Sequence, residues 1–170
     1  MGVSKIRLTG GEPLLDKNVC ELIERIAVLP GIEDLAMTTN GMLLAPIAEK
    51  LARAGLQRVT ISLDSLDKEI FRGMSGGRGD LETVLAGIKA SDAAGLSPIK
   101  INVVVQKGVN DHGVLELLEH FRGTGIIVRL IEFMDVGNRN GWRLNQVVPS
   151  RELLARIQQR WPMRAIGKNY

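Results

Sequence analysis

At 170 residues, with hydrophobic residues at 45%, charged residues at 24% and a formal net charge of +3, the chain has the make-up of a soluble globular protein with a normal core, read as one domain over residues 1–170. Two Trp, one Tyr and three Phe are too few for the stacking platforms of a nucleic-acid binder, the basic residues do not run together, and no apolar run approaches the ~20 residues of a membrane span. The opening MGVSKI lacks the apolar core of a signal peptide and has Ile6 where myristoylation wants Ser or Thr, and the single Cys20 forms no internal disulfide, so the sequence reads as cytoplasmic, with no nucleic-acid or membrane partner.

The first strand is expected at residues 5–8 and runs straight into Thr9, Gly10, Gly11, Glu12 and Pro13. A helix follows, with Val19, Leu22, Ile23 and Ile26 on one face, an Asn18 to Glu21 capping box at its start and Pro30 and Gly31 at its end. The second strand, 35–39, leads into TTNG, and a helix from about Pro46 presents Ile47, Leu51 and Ala54 before Gly55. The third strand, 58–63, is followed by the glycine-rich GMSGGRGD, then by a helix behind Asp80 that carries Leu81, Val84, Leu85 and Ile88 and ends near Gly95. A fourth strand at 100–105, a helix showing Val114, Leu117, Leu118 and Phe121, a fifth strand at 127–133 and a helix after Ser150 with Leu153, Leu154 and Ile157 complete the series.

Repeated strand-helix alternation implies right-handed crossovers and a parallel sheet with helices outside. The strands are nearly continuous apolar runs, as expected where both faces are buried. Five strands do not close an eight-stranded barrel. The expected fold is therefore an open, partial (β/α) barrel with a bare first edge, through which the chain could associate or dimerise; a doubly wound sheet is the alternative.

In either architecture a ligand lies beyond the carboxyl ends of the strands. Five stretches then become walls of one site: Thr9 to Glu12, Thr38 to Gly41, Ser62 to Ser65, Gln106 to Gly108, and Glu132, Phe133, Met134, Asp135, Val136 and Gly137. The GGEP stretch is either a turn or a place where a ligand approaches backbone. Lys5, Arg7, Lys100, Asn102 and Arg129 interrupt the apolar runs. Cations in a parallel strand need an anion or an acidic partner. On a common face they suit a polyphosphate; otherwise Glu12, Asp64, Glu132 and Asp135 would pair with them.

Other features carry less. His112 and His120 read as surface residues on one helix, and Cys20 as half-buried packing. GMSGGRGD lacks the ending of a P-loop, and Trp142 and Trp161 do not make a cofactor box.

IRLTGGEPLL at residues 6–15 resembles the GGE motif of radical S-adenosylmethionine enzymes, and TTNG and ISLDS follow in that family's order. KINVVVQKGVND (100–111) and RLIEFMDVGNRNGW (129–142) look like the GTP 3′,8-cyclase family of molybdenum cofactor biosynthesis, radical lyases that convert GTP to a cyclised pterin precursor. The resemblance implies S-adenosylmethionine at Gly10, Gly11, Glu12, Ser62 and Met134. It implies GTP at Arg7, Thr38 and Lys100, with Lys5, Asn102 and Arg129 beside them.

The family also carries 4Fe-4S clusters, one on a C-x3-C-x2-C loop after a strand that precedes these residues in the family, and another near its carboxyl end. Such ligands are thiolates, and Cys20 alone does not supply them. The expectation is a central fragment of a cyclase, with the first strand missing, that does not turn over GTP alone. The alternative is a remnant or partner subunit that binds GTP or S-adenosylmethionine without catalysis.

Overall fold

The computed structural model describes residues 2–134 and 142–166. Asp135, Val136 and Gly137, with the remainder of the motif up to residue 141, lie outside them.

Five strands, Lys5–Leu8 (β1), Asp34–Thr39 (β2), Arg58–Ser62 (β3), Lys100–Val105 (β4) and Ile127–Glu132 (β5), form one parallel sheet in the order β1-β2-β3-β4-β5. Six α-helices accompany them among the described residues: Val19–Ala27 (α1), Ala48–Arg53 (α2), Lys68–Met74 (α3), Leu81–Ala93 (α4), Val114–Phe121 (α5) and Ser150–Arg160 (α6). Every strand neighbours the next one in the chain, so right-handed crossovers carry the helices to a single face. The strand order never reverses, which removes the doubly wound alternative and leaves the partial barrel.

Burial follows from that placement and corrects the expectation of a sheet covered on both sides. Leu35, Met37, Val59, Ile61, Ile101 and Val103 are buried against Ile23, Leu51, Val84 and Leu117 of the helices. On the opposite face, Lys5, Arg7, Ser62 and Arg129 are exposed and Lys100 and Asn102 half-exposed. The apolar runs look continuous because Ala36, Val104 and Ile131 sit on the open face between polar neighbours.

Two local expectations also change. Asn18 makes no capping hydrogen bond at α1; instead the Asp16 carboxylate accepts from the Asn18 backbone N–H at 2.9 Å, an Asx turn that competes with the cap. His112 precedes α5 rather than sharing it with His120, and both are exposed. Helix α3 was not expected at all. Asp67 caps it by accepting from the Glu69 and Ile70 N–H groups at 2.9 Å, and Phe71 anchors it in the core.

One glycine pair positions the end of β2. Gly87, within α4, lies so close to the following loop that a Cβ there would stand 2.8 Å from the Gly41 carbonyl oxygen, and Gly41 itself has φ +80°. The helix therefore packs directly on the TTNG loop. No helix among the described residues is long and apolar enough to cross a membrane.

Candidate functional site: the open face of the sheet and its carboxyl rim

The rim is built on the GGE loop. Glu12 accepts from the Leu14 N–H at 3.1 Å and the Thr39 hydroxyl at 2.7 Å through one oxygen, and from the Asn40 N–H at 2.7 Å through the other. A carboxylate has roughly four acceptor sites; two of these bonds tie the loop to the end of β2, the third holds the loop on itself, and one site stays open. Gly10, at φ +140°, and Gly11 have nothing within 4 Å of where a Cβ would stand. The result is a cavity of about 280 Å³ lined by Thr9, Gly10, Gly11, Glu12, Thr38, Thr39, Asn40 and Ser62.

Five of the expected site residues thus meet in one cavity. Met134 does not line it. It stands exposed just beyond β5, two strands from Ser62, which at ordinary strand spacing is about 10 Å.

Below the rim, register sorts the open face into rows. Ser62, Asn102 and Arg129 are aligned; then Thr38, Thr60 and Lys100; then Arg7, Ala36 and Arg58; and last Lys5 and Asp34. Arg7 reaches across β2, its Nη1 donating to the Thr38 hydroxyl at 3.2 Å and the Thr60 hydroxyl at 3.0 Å. Among the described residues no carboxylate lies within 4 Å of Lys5, Arg7, Lys100 or Arg129.

The acidic partners considered from sequence are engaged elsewhere. Glu12 holds the GGE loop, the Asp64 carboxylate accepts from the Val104 N–H at 2.8 Å, and Glu132 accepts from the Ser150 hydroxyl at 2.7 Å. Asp135 lies outside the described residues.

The crowding shows in proton affinity. Burial, followed by repulsion from Arg58 and Arg129, holds the Arg7 guanidinium below its ordinary pKa. Burial and then Arg129, Arg58 and Arg7 do the same to the Lys100 ammonium. The Asn102 Oδ1 is buried with no hydrogen-bond partner. A face with uncompensated cations and an idle acceptor is arranged for an anion that also brings a donor.

Several structural contributors escaped the sequence reading. Asp34 pairs with Arg58, whose Nε donates to one carboxylate oxygen at 2.6 Å and whose Nη2 donates to the other. Asn110, buried, donates to the Asp64 and Val104 carbonyls at 2.7 and 2.8 Å and accepts from the Gln106 N–H, bracing the ends of β3 and β4 together. Burial pushes the Asp64 carboxyl upward, against the opposing effect of its bond from Val104.

The glycine-lined cavity fits S-adenosylmethionine, a cofactor whose ammonium can approach Glu12 and whose carboxylate needs backbone N–H groups free of side-chain cover. The 4Fe-4S cluster does not fit. Such a cluster is held by thiolates, the chain has one cysteine, Cys20 on α1, and no group of three metal-ligating side chains occurs among the described residues.

Comparison with known proteins follows the same lines. The chain is 58% identical over 170 residues to a GTP 3′,8-cyclase of Xanthomonas campestris pv. campestris (strain B100), covering 100% of this chain and 50% of that protein. It is 51% identical over 169 residues to a GTP 3′,8-cyclase of Acidothermus cellulolyticus, covering 99% of this chain and 47% of the relative. The chain thus spans about half the length of the curated relatives it matches. A radical SAM methyltransferase from Sphaerobacter thermophilus superposes with a TM-score of 0.69 at 21% identity, over 92% of this chain and 47% of that one, which supports the fold. The model of the Radical SAM superfamily matches residues 1–121, a stretch that takes in the GGE loop and the first four strands: this chain belongs to the radical SAM superfamily.

Proposed function

We propose that this chain is the cofactor- and substrate-binding part of a GTP 3′,8-cyclase acting in molybdenum cofactor biosynthesis. The observation that carries the reading is the open face itself: Lys5, Arg7, Lys100 and Arg129 have no carboxylate within 4 Å among the described residues, and Asn102 holds a buried, unpaired acceptor between Ser62 and Arg129. The similarity to GTP 3′,8-cyclases over the whole chain supplies the substrate.

In this reading Gly10 and Gly11 admit the methionine end of S-adenosylmethionine, Glu12 faces its ammonium, and Ser62 and Met134 bound the rest. When bound, that cofactor supplies the hydrogen-abstracting radical chemistry of the family. Arg7, Lys100 and Arg129, with Lys5, attract the triphosphate of GTP, while Thr38 and Asn102 orient it. The chain's own share of the reaction is to hold both molecules in fixed relation on a rigid sheet. The thiolates that would hold an iron-sulfur cluster are not among these 170 residues, which in this reading bind both molecules without turning GTP over by themselves.

Calorimetric titration of the folded chain with GTP tests the reading. Saturable binding is expected, and Arg129→Ala is expected to weaken it about tenfold, the scale of one hydrogen bond to a charged group, with an unchanged melting temperature. Absence of binding by a folded sample overturns it. A melting temperature that collapses in Arg129→Ala would mean instead that Arg129 is an internal structural pair.

A further inference from the structure

Arg58 lies on the same face as the cations just described but was assigned to nothing by the family motifs. It opens β3, in register with Arg7 through Ala36, and alternation puts its side chain on the side of Thr60 and Ser62. Asp34, in the last row beside Lys5, binds it through both carboxylate oxygens. The two side chains are 20% and 19% exposed. A guanidinium has five N–H donors, and Asp34 takes two, so three remain without an acceptor among the described residues.

Two roles are open to such a pair. A purely structural one needs only the Asp34 contact. The neighbourhood says more, because Arg58 lies close enough to Arg7 and Lys100 to lower the proton affinity of each, and nothing on the face compensates these cations except the carboxylate already spent on Arg58. Asp34 therefore serves to fix a planar, charged fork at one end of an electropositive face. A fork of that kind suits bidentate recognition of phosphate oxygens.

Depth decides which phosphate. Ser62, at the rim, is four residues from Arg58 along one strand, about 13 Å at 3.3 Å per residue. If the ribose of GTP meets the cofactor at the rim, each further phosphate reaches one step down the rows, first toward Lys100 and then toward Arg7 and Arg58. We propose that Arg58, oriented by Asp34, binds the terminal phosphate of the nucleotide and makes affinity depend on phosphate chain length. Arg58 is thus a binding residue and Asp34 a positioning residue. The proposal rests on the nucleotide reading above and refines it.

The test is a titration series of the folded chain with GTP, GDP and GMP, by calorimetry. The unmodified protein should bind them in that order of affinity. The double variant Asp34→Asn/Arg58→Gln removes both charges without stranding either, and should lower GTP affinity about ten- to a hundredfold while leaving GMP affinity unchanged. Should the double variant fail to fold, Arg58→Lys keeps a cation opposite Asp34 but loses the fork, and should again weaken GTP alone. Equal affinities of the unmodified protein for GTP and GMP, or equal losses for both nucleotides in either variant, overturn the role of Arg58 while leaving the nucleotide reading in place. Failure of the unmodified protein to bind any of the three overturns the nucleotide reading itself, and the role of Arg58 falls with it.

Discussion

Ile101 and Asn102 are consecutive residues of β4 with opposite duties. Ile101 is buried against the helices, whereas Asn102 faces the open side with its Oδ1 buried and unpaired. The difference runs across the whole sheet. One face is held by apolar contact and tolerates no change of volume; the other concentrates like charge and an idle acceptor, both of which cost stability. The lesson is that one secondary structure can divide its labour by alternation alone, with apolar packing residues and open-face polar residues at alternate steps.

The division can be broken most severely on the helix side. Ile101→Ala should cost about 2 to 5 kcal/mol, read as a lower denaturant midpoint with an unchanged slope, and any loss of nucleotide affinity should track the fraction unfolded. A specific loss of affinity in a fully folded Ile101→Ala sample would dissolve the contrast.

On the open side the sign should invert. Lys100→Met removes a half-buried ammonium crowded by Arg129, Arg58 and Arg7, so the ligand-free protein should gain about 0.5 to 2 kcal/mol while nucleotide binding weakens. The same crowding fixes a pH dependence. The folded-state pKa of Lys100 is lowered from 10.5, so between that lowered value and 10.5 the unfolded chain holds more protons and stability rises with pH. The rise should be smaller in Lys100→Met. Thermal melts across an alkaline series measure both, and a variant that is less stable without ligand would show that Lys100 has a structural partner.

Asn102→Ala should give the smallest effect on stability, within about 0.5 kcal/mol of the unmodified protein, since the acceptor it removes makes no bond. Its effect on GTP affinity should exceed its effect on folding. If stability falls instead, the Asn102 amide supports the sheet and the boundary between the faces is less sharp than drawn.

Much of this was legible in the sequence for a physical reason. All five strands fall within a residue of their expected bounds, because β-branched runs punctuated by glycine and polar turns leave little ambiguity. The carboxyl-end rule then brought Gly10, Gly11, Glu12, Thr38 and Ser62 to one cavity. What stayed hidden depends on register or on competition between local bonds. Asp34 and Arg58 each look like a polar residue at the entry to a strand, and only the pairing of β2 with β3 reveals that they meet. The Asn18 cap lost to Asp16, and Asn110 in KGVND looks like any turn residue until its bonds to Asp64 and Val104 are seen. Helix α3 has a signal in Asp67 before Ile70 and Phe71, but it is a short helix and the glycines from Gly73 onward have low helix propensity, which masks it.

The unbroken strand order has a consequence for how the chain is assembled. Because each strand pairs with its successor, every step of folding closes a loop of local sequence onto an edge that the preceding unit has already laid down. The widest closure joins β3 to β4, across α3 and α4, and the entropy of closing it grows only slowly with its length. From β1 to β5 the sheet can therefore grow one strand and one helix at a time, each unit docking on an edge already formed.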